Sequence, residues 1–461
     1  MNFNSIHKIH FLGIGGIGMS AIARYFISRG KVVSGYDKTE TELTKKLIAE
    51  GIEVYYEDQG VRVLERLNVE TDLVVYTPAI PKGFSELQIL QENGFRVIKR
   101  AKALGVISSA FETYAVAGTH GKTTTSSILA HVLFQSHLKC NAFIGGISSN
   151  YNSNCIIDPE AKNIVVEADE FDRSFLELKP NYSIVTTMDA DHLDIYGNSD
   201  GLIASFNEFV NLTNVNGRVL LQANIDQSSF EVKEGLELLT YGFGVAADWQ
   251  GDNLKYEEGR FFFDILYQGK LFSEVEFGLP GRHNAENALA VFAMAYLNGV
   301  SEIEIRKAFK SYKGVKRRFD FHIRTEKLVV IDDYAHHPTE INALLSSIRT
   351  IYPGKKVTLI FQPHLFSRTR DFYQEFVQVL ASSDLLYLLD IYPAREEPIP
   401  GVSSELLLAD IQMTQKKLST KSTIVEDLKN QEHEVVLIVG AGDIDTCIRP
   451  IVSFFNGLLN L

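Results

Sequence analysis

The nine residues AGTHGKTTT at 117–125 constrain this chain more than any other stretch. They lie between an apolar run, TYAV, that reads as a buried strand, and SSILAHVLF, which reads as a helix. A phosphate cradle belongs at such a junction, because free N–H groups and the helix dipole both favour an anion there. Gly118 and Gly121 let the backbone approach that anion closely. Lys122 supplies a positive point charge for β and γ phosphates, and Thr123 a hydroxyl for Mg²⁺. Thr119, His120 and Thr124 complete the loop. Its spacing is G-x-x-G-K-T rather than the longer G-x-x-x-x-G-K-[ST], since position 116 is Val116. Such a loop calls for a strand–loop–helix unit and a nucleotide ligand.

A nucleotide-bound Mg²⁺ needs hard oxygen ligands besides that threonine. Glu167 ends the strand-like NIVVE and opens an acidic run with Asp169 and Glu170, while His192 follows the strand-like YSIVTT. Both fall just past strand ends in the same unit as the loop, so both are expected at the metal. Asp189 and Asp191 are weaker candidates for the same region.

A second glycine loop opens the chain. Gly13, Gly15 and Gly18 satisfy G-x-G-x-x-G after the strand-like KIHFLG, with Gly16 inside the motif and Asp37 19 residues after Gly18. The physics of this motif is a pyrophosphate on a helix N-terminus, with an acid near the ribose. NAD and a UDP-sugar satisfy it equally well. A dehydrogenase, however, would leave Lys122 and Glu167 without a task.

The length of 461 residues suggests about three domains. Strand-like runs ending in polar or glycine residues recur along the chain, from KVVSGYD to EVVLIVGAGD. We therefore expect three α/β domains in series: a Rossmann-like unit over 1–110, a P-loop-type ATPase unit over 111–314 and a Rossmann-like unit over 315–461. SYKGVKRR at 311–318 reads as a hinge. A net charge of −13 disfavours nucleic acid, whose phosphates need clustered cations. No apolar run reaches the ~18 to 20 residues of a membrane span, and no signal peptide is apparent. Cys140, Cys155 and Cys447 form no C-x-x-C pair, which fits a reducing cytoplasm.

Taken in order, GIGGIGMSAIARY (13–25), AGTHGKTTT, EADEFDRSFL (167–176), DADHLDIYG (189–197), GRHNAENALA (281–290), GVKRRFDF (314–321), DDYAHHPTE (332–340), FQPHLFSRTRDFY (361–373) and DIYPAREEPIPGVSS (390–404) closely resemble the Mur ligase family. The resemblance runs nearly end to end. It implies an ATP-dependent ligase of peptidoglycan precursor synthesis, cytoplasmic, monomeric or homodimeric, with Mg²⁺ (or Mn²⁺ in its place). ATP would phosphorylate the lactyl carboxylate of UDP-N-acetylmuramate, and an amine would attack the acyl phosphate. Within the family the motifs point to L-alanine as the amine, with a tripeptide-adding recycling ligase as the alternative.

Carried over by motif, Lys122 would hold the transferred phosphate, Thr123 and Glu167 one Mg²⁺, and Glu167 and His192 a second. His120 would face the phosphates, Asn284 and Asn287 the adenine, Arg318 the ATP phosphates and Asp333 the ribose. Tyr334, His336, His364 and Arg368 would form the amino-acid site, with Arg368 on the carboxylate. Gly13, Gly15, Gly16, Gly18 and Asp37 would serve the UDP-sugar. Asn284 also reads as a helix cap, and at most one of His336 and His337 need face the site. Departures from relatives are Leu365, where some carry Arg, and Phe171 and Arg173. Arg173 could reach sugar phosphates or pair with a surface acid. No lysine follows His192 until Lys233, so no carbamylated lysine is expected beside the metal.

Overall fold

The computed structural model describes residues 3–81, 83–189, 196, 198–257, 259–394 and 396–459. It is α/β throughout and contains three sheets. The first is fully parallel, in the order Glu53–Tyr55, Val32–Tyr36, Lys8–Leu12, Leu73–Tyr76, Arg96–Lys99. The chain leaves its first strand to both sides, so a crevice opens at the carboxyl end of Lys8–Leu12, where the first glycine loop lies. The second sheet has ten strands. Glu112–Ala117 runs parallel between Tyr182–Val185 and Asn163–Glu167, and the hairpin Asn141–Ser148/Ser153–Ile156 forms one edge. AGTHGKTTT thus occupies the second crevice, leading into the helix Lys122–Gln135. In the third sheet Val435–Val439 lies between Val329–Asp333 and Val357–Phe361. That order sets the ends of DDYAHH, FQPH and GAGD side by side.

The contacts divide the chain into two compact units. One contains residues 1–253, 263–277 and 286–313, the other residues 254–262, 278–285 and 314–461. In the first unit, one apolar core runs from Ile6 through Phe26, Leu104, Phe143 and Phe175 to Phe206 and Leu236, serving both of the first two sheets. Phe175 stacks on Phe209 at 5.0 Å and meets Phe206 edge-on. Each such buried ring contributes about 1.5–3 kcal/mol by leaving water. The expected boundary at 110/111 therefore separates sheets but not cores. A polar clamp reinforces the junction: buried Asn154 donates to Ser20 Oγ (2.9 Å) and to Ile17 O, and accepts from Arg24, which also grips Glu50. The second unit has its own cores on the two faces of the six-stranded sheet.

The helix after the phosphate loop has no apolar stripe, because Thr123 through Leu133 are all buried. His131 on it meets Tyr151 Oη (2.7 Å) and Ser311 Oγ (2.9 Å), and burial pulls its pKa down to about 4. Burial likewise lowers His283 to about 4 and His336 to about 3. These depressed values mean that the unfolded chain takes up protons below pH 6.5 while the folded chain does not. Stability is then complete above 6.5 and falls toward pH 4, by about 1.4 kcal/mol per pH unit for each histidine. Urea titrations between pH 7 and 5 should show that fall, and His131→Gln should make it shallower. Among the described residues no helix is long and apolar enough to cross a membrane, and all three cysteines are free and buried.

Candidate functional site

The phosphate loop is braced from the neighbouring strand end. Thr187 Oγ1 receives the His120 N–H (2.8 Å) and pairs with Thr119 Oγ1 (2.8 Å), while Thr119 Oγ1 accepts from Asp189 N–H (3.0 Å). His120 Nε2 lies 3.4 Å from Asp189 Oδ2. Gly121 lies at φ +81, and its Cα faces the amide of Asn287. Thr124 is buried one turn into the helix.

Lys122 Nζ donates to Gly118 O (2.7 Å) and sits 2.9 and 2.8 Å from the two oxygens of Glu170, which is fully buried. Burial alone would discharge Lys122, but Glu170, Asp169 and Glu167 outweigh it and hold its pKa above the ordinary lysine value. A permanent cation therefore waits at the loop, matched by a carboxylate whose role no motif spacing assigns. The sequence signal for Glu170 was only its place in the acidic run after NIVVE.

The two described metal candidates are adjacent: Thr123 Oγ1 donates to Glu167 Oε1 at 3.1 Å. The other Glu167 oxygen accepts from Gly145 N–H (3.0 Å). Two hard oxygens at the mouth of a phosphate loop suit Mg²⁺. His192 and Asp191 lie outside the described residues, and among the described ones no three His, Cys, Asp or Glu side chains converge on a point. A Cβ on Gly145 would stand 2.4 Å from the Glu167 carboxylate. We expect Gly145→Ala to push Glu167 aside and raise the Mg²⁺ needed for half-maximal activity about tenfold, read by Mg²⁺ titration of phosphate release.

In the first glycine loop Gly15 N–H donates to Asp37 Oδ2 (2.7 Å), and Thr39 N–H to Asp37 Oδ1 (3.1 Å). Asp37 thus braces the loop from the end of the adjacent strand. Gly13 stands at φ +86, and Gly16 is the N-cap of the helix Ile17–Ser28. The Arg100 guanidinium lies against Gly18 in the first turn of that helix and reaches Asp169 Oδ2 (3.3 Å). Nothing in the sequence announces Arg100, since its contact depends on a helix that arrives about eighty residues later.

The Arg173 guanidinium lies over the ring of Tyr196, 5.6 Å from the centroid. Tyr196 Oη in turn donates to Glu170 O (2.6 Å), so Arg173 backs the acid beneath Lys122. Asp172 and Arg173 both adopt positive φ there.

In the second unit, Arg317 and Arg318 both lie over the Tyr334 ring, at 5.1 and 4.9 Å. Asp333 accepts from Phe319 N–H (2.7 Å) and Ala335 N–H (2.8 Å). Burial raises its pKa to about 6, against the pull of Arg318 and those two bonds. Asn284, inside the helix Arg282–Leu297, donates to Pro280 O (2.6 Å), which is not the N–H-accepting bond of a helix cap. Of the paired histidines, His337 caps the helix Pro338–Ile351 through Thr339 N–H and packs on Phe372. His336 instead faces His364, with ring centroids 5.9 Å apart. Its Nδ1 donates to Tyr334 O (2.9 Å), which leaves Nε2 as an acceptor. Since burial keeps this imidazole neutral, the 3.4 Å approach of Glu340 is a dipolar contact rather than an ion pair. Buried Arg368 donates to His364 Nδ1 at 3.3 Å. An imidazole pair beside a guanidinium can receive a small zwitterion, ammonium on one side and carboxylate on the other.

The chain matches the Mur ligase family catalytic domain over residues 8–112, the Mur ligase middle domain over 116–295 and the Mur ligase glutamate ligase domain over 317–442. It is 47% identical over 454 residues to a UDP-N-acetylmuramate--L-alanine ligase of Porphyromonas gingivalis strain W83, covering 98% of this chain and 99% of that one. A protein of the same description from Flavobacterium psychrophilum is 49% identical over 446 residues, 96% and 97% of the two chains. Among solved structures, the UDP-N-acetylmuramate-alanine ligase of Thermotoga maritima superposes with a TM-score of 0.82 at 28% identity, over 98% of this chain and 99% of that one. A murein peptide ligase of Psychrobacter arcticus shares the fold, with a TM-score of 0.71 at 21% identity and coverage of 97% and 98%.

Proposed function

The chain belongs to the Mur ligase family, and from that premise we propose that it joins L-alanine to the lactyl carboxylate of UDP-N-acetylmuramate, converting ATP to ADP and phosphate. The observation that carries the chemistry is Lys122, held as a cation beside the Thr123–Glu167 oxygen pair. The choice of alanine over a tripeptide rests on relatives 45–49% identical over nearly the whole chain, all described as alanine ligases.

A carboxylate is a poor electrophile, so the reaction proceeds in two steps. A lactyl carboxylate oxygen attacks the γ-phosphorus, the bond to the β-phosphate oxygen breaks, and ADP leaves. The free amine of alanine then attacks the acyl carbon, the C–O bond to phosphate breaks with its electron pair, and the departing phosphate takes the proton that the nitrogen sheds. Lys122 offsets charge on the transferring phosphoryl oxygens in the first step. Mg²⁺ bound by Thr123 and Glu167, together with His192, would neutralise phosphate charge. Gly118–Thr124 cradle the phosphates through backbone N–H groups, and Arg318 and Asp333 are assigned to the nucleotide's phosphates and ribose. Gly13, Gly15, Gly16, Gly18 and Asp37 form the UDP-sugar loop. Arg368 and His364 take the alanine carboxylate, and neutral His336 accepts a hydrogen bond from its ammonium. The expected domains are 1–110, 111–314 and 315–461, and the setting is the cytoplasm, where ATP is abundant.

The test is phosphate release with ATP, Mg²⁺ and UDP-N-acetylmuramate, offering alanine, glycine, serine and the tripeptide in turn. Alanine should be strongly preferred. Faster turnover with tripeptide would make the chain a recycling ligase, and no release with any amine would refute the ligase reading.

A further inference from the structure

Resting on that reading, we propose that Tyr392 and Glu396 are positioning residues that hold His364 and Arg368 in register for the carboxylate of the incoming amino acid. The turn carrying those two side chains is an unstable shape by itself. Leu365 sits at φ +72 and ψ 135, a region that side chains with a Cβ rarely enter. Such a conformation persists only where its surroundings over-determine it.

The surroundings are the segment after strand Leu385–Leu388, and they grip the turn at three points. Leu365 N–H donates to Tyr392 O (2.9 Å), and Tyr392 N–H donates to Pro363 O (2.8 Å), so the Tyr392 backbone brackets His364 on both sides. The Tyr392 ring stacks on the His364 imidazole, with centroids 5.6 Å apart and planes 21° apart. Four residues on, Glu396 accepts from Ser367 N–H (3.0 Å) with one oxygen and from the Ser367 hydroxyl with the other. Within the turn, Thr369 Oγ1 and N–H both donate to Leu365 O (2.8 and 3.2 Å).

The consequence for the site runs through the hydrogen bond between those two side chains. Arg368 Nη1 donates to His364 Nδ1 (3.3 Å), so the plane of the imidazole fixes where the guanidinium fork points. Tyr392 sets that plane by stacking, and Glu396 sets the start of the helix Phe366–Asp371 on which Arg368 rides. The fit around Tyr392 is close: a Cβ on Gly442 would come 2.6 Å from Tyr392 Cγ. Neither residue need touch substrate, and both are remote from the phosphate loop in sequence and role.

The test compares Tyr392→Leu, Tyr392→Phe and Glu396→Gln in the full chain by steady-state kinetics for each substrate, with thermal melting alongside. Tyr392→Leu and Glu396→Gln should lower kcat/KM for L-alanine about 10- to 100-fold, chiefly through KM. KM for ATP and for UDP-N-acetylmuramate should stay within about twofold. Tyr392→Phe keeps the stacking ring and should restore the alanine KM. An unchanged alanine KM in both variants, or equal losses for all three substrates, would overturn the positioning role while leaving the ligase reading intact. No alanine-dependent phosphate release from the unaltered chain would overturn both.

Discussion

Lys122→Ala should abolish measurable turnover and, unusually for a catalytic substitution, should also lower stability. The first effect follows from removing the lysine cation at the phosphate loop. Loss of one preorganised donor to developing charge costs about 10²–10³ in kcat, and a charged group aimed at a transferring phosphoryl costs at least that. The second follows from the carboxylate left behind. Glu170 is 0% accessible, and Lys122 lies within 2.9 Å of both its oxygens. Removing one partner of a buried pair costs about 3–5 kcal/mol, because the survivor stays buried and uncompensated. The combination Lys122→Met with Glu170→Gln should recover most of that stability and none of the turnover. Urea unfolding and phosphate release on the same preparations would separate the two effects. A single substitution that melts normally would mean that Glu170 is compensated by another group.

Arg368→Ala should cut kcat/KM for L-alanine by more than a hundredfold while leaving ATP affinity within a small factor. The guanidinium is only 6% exposed and is oriented by His364, so a carboxylate meeting it is desolvated on arrival. Truncating one side of such a charge pair costs about 2–5 kcal/mol, and each 1.4 kcal/mol is tenfold. Arg368→Lys should recover only part of the loss, since an ammonium cannot present the planar two-pronged donor. A uniform fall in affinity for all substrates would show that Arg368 shapes the unit rather than the alanine subsite.

Much of the architecture was legible in the sequence because strand ends carry their own punctuation. KIHFLG, NIVVE and KLVVIDD each stop where a polar or glycine residue must face a crevice, and the sheets place all three at carboxyl ends. Motif spacing brought Thr123 and Glu167 together, and the structure sets them 3.1 Å apart. What spacing does not carry is contact across the sheet. Glu170 beneath Lys122, Thr187 under the loop and Arg100 against Gly18 come from other strands and helices, and each in isolation reads as an ordinary polar residue. Arg173 shows the same limit: that its guanidinium meets an aromatic face depends on where Tyr196 has been folded.

The shared interior of the first two sheets has a mechanical meaning. With Phe26, Phe143 and Phe206 in one packed mass and Asn154 bolted to the helix behind the first glycine loop, the two glycine loops cannot hinge against each other without opening that mass to water. On the proposed assignment of the first loop to the diphosphate, the distance an acceptor must span to the point of phosphoryl arrival is consequently ruled off when the polypeptide first folds. Acceptors are thereby measured by length before any chemistry begins, and one with a shorter or longer arm would deliver its carboxylate to the wrong place.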